Sequence, residues 1–176
     1  LVGSQSYFDR REVKDVLAYL KVMVNPDDDI SLLRIANVPA RGLSAKTMQT
    51  LLQISQDRRT SVYAVMRHTD VQDQLHNAAR KSLRSFLEFL ETTRAFLTLD
   101  PAENMSKWAR EFLEQTGYFI DLQHSEKDPK AAENRLQSAM DLVSSIEELT
   151  ESMKDASGEA KLSRFLEEIS LDQDRF

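Results

Sequence analysis

The sequence predicts an all-α protein, an irregular assembly of many helices. Its runs of Leu, Ala, Glu, Lys and Arg place apolar residues three or four positions apart, the period of a helix with one buried face. Only four Gly and four Pro punctuate 176 residues. An all-β chain needs a turn every 8–12 residues or so, which this supply does not meet. Hydrophobic residues make up 41% and charged residues 30%, enough for a core and a solvated cover.

The first helix is expected over 9–24. Asp9 followed by Glu12 has capping-box spacing, and Val13, Val16, Leu17, Leu20 and Val24 then share one face. Asn25-Pro26 ends it, because proline has no N–H to donate and pushes its predecessor out of the α region. Asp27, Asp28 and Asp29 open the second helix, where carboxylates complement the helix dipole. Ile30, Leu33 and Ile35 are its expected apolar face, and it ends near Asn37-Val38-Pro39. Ser44 reads as the cap of a third helix that buries Met48, Leu51 and Leu52.

A short helical piece is expected over 61–67 and a long helix from about 70 to 97. The apolar row of the long helix is Val71, Leu75, Ala79, Leu83, Phe86, Leu87, Leu90 and Leu97. Asp100-Pro101 starts another, with Met105, Trp108, Phe112 and Leu113 inward. Gly117 breaks it before a short helix over 118–124. Asp128-Pro129 caps and opens a long helix with Ala132, Leu136, Met140, Val143 and Met153 on one side. Gly158 interrupts, and Leu162, Phe165, Leu166 and Ile169 mark the last helical face. Residues 125–129 and 154–158 read as loops, and no internal repeat is present.

Several function classes are disfavoured by composition. A net charge of −6 argues against a general nucleic-acid coat. The absence of Cys excludes disulfides and thiolate metal sites and suits a reducing compartment. No apolar run approaches the roughly 20 residues that span a bilayer, and the first residues lack the regions of a signal peptide. The chain opens on Leu1 rather than Met, as a fragment of a longer protein does.

No catalytic constellation is expected either. With Gly only at 3, 42, 117 and 158, no phosphate-cradling glycine loop can form. His68, His76 and His124 contain no paired ligand spacing, and no Ser has a glycine-flanked nucleophile context. Glu147-Glu148 and Glu167-Glu168 are adjacent on helices and point to different azimuths, so neither pair can share acid–base work. The aromatic residues Phe86, Phe89, Trp108, Phe112 and Phe119 have core spacing.

Charge is segregated along the chain. Between 34 and 59 stand Arg34, Arg41, Lys46, Arg58 and Arg59 against Asp57 alone, whereas 141–176 carries ten acidic and four basic residues. Around Ser44 the free N–H groups of a helix start, the helix dipole, Arg41 and Lys46 make an anion-ready end, and Gly42 lets the backbone turn tightly. Two short helices joined by Val-Pro-Ala-Arg-Gly-Leu-Ser look like a helix-hairpin-helix, which grips DNA phosphates through backbone amides. A tight interhelical turn with incidental charges fits the spacing equally well.

The stretch SYFDRREVKDVLAYLKVMVNPDDDISLLRIANVPARGLSAKTMQTL resembles a segment of UvrD/Rep/PcrA-type superfamily 1 DNA helicases, the one that leaves subdomain 2A and enters 2B. The family pattern runs roughly FFxRxEIKDxLAYLR, NPxDD, LxRIxNxPxRGIG and a threonine. Tyr7, Phe8, Arg10, Glu12, Lys14 and Asp15 match the first part, and Asn25, Pro26, Asp28 and Asp29 the second. Arg34, Asn37, Pro39, Arg41, Gly42 and Thr47 match the third. AENRLQSAMDLVSSIEEL is similar to a later family element at Arg135 and Leu136 and departs at Gln137-Ser138, while 60–125 matches only in helical character.

The resemblance implies an all-helical 2B-type subdomain over 9–171, inserted in a RecA-like domain whose flanks are 1–8 and 172–176. It implies a non-catalytic accessory of an ATP-dependent DNA helicase of repair or replication, with no cofactor of its own, ATP and Mg lying in the parent motor. It further implies contact with the backbone of duplex DNA near the fork, in a bacterial cytoplasm at the nucleoid. Carried onto this sequence, the DNA-binding residues are Arg41, Gly42, Leu43, Ser44, Ala45, Lys46 and Thr47. Ser44 replaces the family's second glycine, and a positive φ there would be strained. The other expected partner is the rest of the helicase chain. The alternative is a protein-interaction module whose acidic helices dock on the motor or on a repair protein.

Overall fold

The structure, a computed structural model, describes residues 5–99 and 104–174. Eleven helices account for the regular structure among these residues: α1 (Gln5–Phe8), α2 (Arg11–Val24), α3 (Asp29–Ile35), α4 (Ala45–Arg58), α5 (Val62–Met66), α6 (Thr69–Gln72), α7 (Asn77–Leu99), α8 (Met105–Gln115), α9 (Tyr118–His124), α10 (Pro129–Thr150) and α11 (Gly158–Asp174). The expected all-α class is what is found. No described helix is long and apolar enough to cross a membrane.

Helix α2 is the hub. It packs against α3, α7, α10 and α11, and α10 in turn lies on α8, α9 and α11. The sequence predicts one apolar face for α2, yet Ala18, Tyr19, Val22 and Met23 are buried along with Val13, Val16, Leu17 and Leu20. A helix wrapped on several sides buries residues at every azimuth, and only Arg11, Lys14 and Lys21 remain exposed on α2. Phe8 of α1 joins the same core.

The start of α2 corrects the expected capping box. Its N-cap is Arg10, which makes no side-chain cap bond, and Asp9 precedes the helix. Glu12 is instead buried to 2% exposure and pairs with Arg135 of α10 at 3.0 Å. Arg135 also holds Glu126 at 2.5 Å. One turn along, buried Asp15 accepts from Arg34 Nε at 2.9 Å and from the Tyr118 hydroxyl at 2.8 Å. Burial pushes the Tyr118 hydroxyl well above the usual tyrosine range, with the adjacent Asp15 charge adding to the effect. The two carboxylates of α2 therefore tie it to α3, α9 and α10.

The Asp27–Asp29 run performs local work. Asp28 caps α3 by accepting from the Ser31 N–H at 3.2 Å. Asp27 and Asp29 reach across to the start of α5, accepting from the Ser61 hydroxyl at 2.6 Å and the Val62 N–H at 2.9 Å. On α3 the buried apolar residues are Leu32 and Ile35, while Ile30 is 85% exposed, opposite to its expected place in the core.

The long helix expected from 70 to 97 is two helices. Arg80 terminates α6 by donating to the carbonyls of Gln72, Asp73 and Leu75 at 3.0, 3.2 and 3.1 Å. Those carbonyls would otherwise continue the helical ladder. Near its far end, α7 donates from Arg94 Nε to the Met23 carbonyl at 3.0 Å, closing the C-terminus of α2. The expected start at Asp100-Pro101 lies outside the described residues. Within them α8 begins at Met105, capped by Asn104. Asp128 caps α10 as expected, but α10 ends at Thr150, so Met153 falls in the turn beyond it.

Candidate nucleic-acid interface

The turn between α3 and α4 is organised by Asn37. Its Oδ1 accepts from the Arg41 N–H at 2.7 Å and the Leu43 N–H at 3.2 Å, drawing 37–43 into a closed loop. The Val38-Pro39 peptide is cis. Leu43 is completely buried and pins the loop to the core, as Met48 and Leu51 pin α4. The flanking helices share α5 as a neighbour, and α3 lies on α2 as well.

Gly42 adopts φ +81°, in the region that side-chain-bearing residues avoid. The space above it holds Ser82 of α7: a Cβ on Gly42 would stand 2.3 Å from the Ser82 Oγ. In this fold, the close approach that glycine permits is that of a helix.

Arg41 turns inward. Its Nη2 donates to the Tyr19 hydroxyl and to the Val38 carbonyl (2.9 Å), and its Nε donates to the Pro39 carbonyl at 3.3 Å. The guanidinium lies 4.8 Å from the Phe86 ring centroid and 5.8 Å from that of Tyr19, within cation–π range. Burial raises the Tyr19 pKa while the Arg41 charge opposes it, so Tyr19 stays a neutral hydroxyl that donates to the Val38 carbonyl. Arg41 is thus a brace of the turn.

Ser44 sits at φ −61° and ψ 160°, an unstrained extended conformation. The positive φ considered for the family's second glycine does not arise. Its Oγ accepts from the Thr47 N–H at 3.2 Å and lies 3.1 Å from the Thr47 hydroxyl. Met48 N–H bonds to the Ser44 carbonyl at 3.0 Å, the first bond of the α4 ladder. Among the described residues, no protein acceptor meets the N–H groups of Gly42, Ser44, Ala45 or Lys46, and all four residues are exposed.

The expected site residues therefore separate into two groups. Gly42, Ser44, Ala45 and Lys46 form an exposed edge with outward donors and one cation. Leu43 turns its side chain into the core and spends its N–H on Asn37, Arg41 is held against Tyr19 and Phe86, and the Thr47 N–H belongs to the Ser44 cap. A buried apolar side chain and a committed amide cannot also face solvent. Asn37, Tyr19 and Ser82 complete the turn and were not among the expected site residues. Asn37 had a local signal, an amide two residues before proline, but Tyr19 and Ser82 come from other helices. Among the described residues no cluster of three or more His, Asp or Glu could hold a metal ion.

The UvrD-like helicase C-terminal domain family model matches residues 1–175. The chain is 32% identical over 149 residues to the ATP-dependent DNA helicase Rep of Salmonella typhimurium, covering 85% of this chain and 22% of that protein. It is 29% identical over 173 residues to the ATP-dependent DNA helicase PcrA of Bacillus subtilis, covering 97% of this chain and 22% of that protein. A match to DNA helicase II of Salmonella typhimurium is 32% identical over 91 residues, 52% of this chain and 13% of that protein. The chain thus spans about a fifth of the length of the Rep and PcrA relatives, and it belongs to the UvrD-like helicase C-terminal domain family.

Proposed function

We propose that this chain is a 2B-type accessory subdomain of an ATP-dependent DNA helicase, and that it grips the phosphate backbone of duplex DNA with the turn that opens α4. The observation carrying this reading is the exposed edge of Gly42, Ser44, Ala45 and Lys46, whose four N–H groups meet no protein acceptor among the described residues and stand with the Lys46 ammonium at the N-terminus of the 14-residue α4. Helix dipole and free amides favour an anion there. The Rep and PcrA relatives supply the nucleic acid as that anion's source. In this reading the flanks 1–8 and 172–176 lead into a RecA-like domain, ATP and Mg are bound by motor domains of a longer bacterial protein, and this piece contributes grip without catalysis.

Anisotropy of a labelled DNA hairpin tests the proposal. Neutralising two or three phosphates gives a slope of roughly −2 to −3 for log K against log salt. Lys46→Glu is the clean variant, because Lys46 is exposed and holds no part of the fold, whereas Arg41 braces the turn. Binding that is unchanged in Lys46→Glu sinks the proposal.

A second reading, docking on the motor or a repair protein through the acidic helices, is favoured by Glu148 and Glu167. Both are exposed and have no ion-pair partner among the described residues, while Glu147 accepts from the Ser106 N–H and Glu168 pairs with Arg164. Capture of the motor fragment that survives Glu148→Lys and Glu167→Lys removes this surface from consideration.

A further inference from the structure

We infer that α7 carries a second phosphate subsite, a cleft beside the turn that receives the phosphodiester backbone as it leaves the α4 N-terminus. The inference rests on the duplex-grip reading and adds residues from a separate helix to it.

Arg41 from the turn and Lys81, Ser82 and Ser85 from α7 line an open cleft of about 380 Å³. Among the described residues, no carboxylate borders it. That is unusual in this acidic chain: the cleft holding Arg67 and Arg94 also holds Glu91 and Glu159, and the one holding Arg67 and Arg84 also holds Glu88 and Glu91. In those clefts the positive charge is answered from within the protein.

Beside the turn it is not. Among the described residues, the Arg41 guanidinium donates only to neutral oxygens, the carbonyls of Val38 and Pro39 and the hydroxyl of Tyr19. Lys81 is exposed and has no ion-pair partner among the described residues. The hydroxyls of Ser82 and Ser85 and the amide of Gln115, which also lines the cleft, have no hydrogen-bond partner there either. Phe86 and Phe89 form an apolar wall that lowers the local dielectric and strengthens the field of both cations. Two unanswered charges and uncommitted donors over an aromatic floor suit a phosphate monoanion.

The contact between Gly42 and Ser82 fixes this cleft next to the turn. A strand held at 44–46 therefore has a second cationic station within the same rigid unit. A phosphodiester can come from the duplex or from an unwound strand, so the test uses both.

The experiment titrates this chain with a labelled hairpin duplex and with an oligothymidine of equal phosphate count, across a salt series. Lys81→Gln and Ser85→Glu are compared with Lys46→Glu, with thermal melts confirming that each exposed-site variant folds. The expected result is that Lys81→Gln weakens binding about threefold to tenfold and makes the salt slope shallower by about 0.9, the share of one phosphate contact on duplex DNA. Ser85→Glu, which places a carboxylate in the cleft, weakens it further. Whichever nucleic acid loses affinity in these variants is the strand the cleft holds. If Lys46→Glu abolishes binding while Lys81→Gln and Ser85→Glu leave affinity and slope unchanged, the α7 subsite is overturned and the turn reading stands. If neither nucleic acid binds the unaltered chain, both fall.

Discussion

Gly42 and Ser82 are in contact across the turn and α7: a methyl group on Gly42 would lie 2.3 Å from the Ser82 Oγ and 3.2 Å from its Cβ. Two separate penalties follow for Gly42→Ala, the positive φ and the clash. Left-handed backbone costs a side-chain-bearing residue roughly 1–2 kcal/mol. We expect Gly42→Ala to lose about 2 kcal/mol or more in urea denaturation. In a Ser82→Ala background the cost should shrink but stay above zero, because the φ strain remains. A cost identical in both backgrounds refutes the contact.

Buried Glu12 and half-buried Arg135 form a pair that should behave asymmetrically. Arg135→Met leaves a carboxylate of 2% exposure without its cation, a loss of about 2–3 kcal/mol, below that of a fully buried pair because Arg135 is itself a third exposed. Glu12→Gln combined with Arg135→Met removes the stranded charge and should recover most of that stability. Additive losses in the double variant would mean that the two side chains do not act as a pair.

Ser44 offers a test of capping against backbone freedom. At φ −61° the position does not need glycine. Ser44→Ala should therefore cost about 1 kcal/mol through loss of the Thr47 N–H acceptor, and Ser44→Gly only a few tenths. Thermal melts of the two variants measure the order; a Gly variant less stable than the Ala variant contradicts the cap geometry.

The tyrosines predict the alkaline limit of the fold. Tyr7, Tyr19, Tyr63 and Tyr118 are all raised above the ordinary value of 10.0, with burial the largest cause in each case, and Tyr7 is pushed up to about 12. A raised pKa means that the folded chain keeps protons which the unfolded chain releases near pH 10. The associated stability is complete below that pH and declines as pH rises beyond it. Phenolate absorbance and loss of helical circular dichroism should therefore rise together above pH 10. Buried tyrosines that ionise with helicity intact would contradict their burial.

What the sequence disclosed of the fold depended on how local the cause was. Ser44 and Asp128 cap the helices they were expected to cap, and Asp28 proves to be the cap within the acidic run expected to open α3, because each bonds an N–H two or three residues away. The supposed box at Asp9 and Glu12 failed because the partner of Glu12 is 123 residues distant. The break before α7 was hidden for a related reason: Arg80 ends α6 by folding back over three carbonyls, without Gly or Pro. Periodicity likewise found one face of α2 and missed the others, since wrapping by several helices leaves no second period to detect.

The candidate site was legible in its place and less so in its parts. Gly, Ser and Lys at a helix start mark the edge of α4 from local chemistry alone. The inward turn of Arg41 depends on Tyr19 and Phe86, and the role of Gly42 on Ser82, all contributed by other helices. Basic residue type therefore indicated charge near the turn but not which cation is exposed.

The long reach of the α2 carboxylates has a consequence for how the chain comes together. A ribosome delivers α2 well before α9 and α10, and Glu12 and Asp15 meet Arg135 and Tyr118 only after another hundred residues have followed. Until then Glu12 has no cation, and Asp15, though within reach of Arg34, lacks the Tyr118 hydroxyl, so the hub helix is costly to enclose. Synthesis and closure thus run in opposite directions, and the ordering entropy of most of the chain is spent before these distant pairs form. A nascent chain ending before Tyr118 would lack its central packing, however helical α2 had already become.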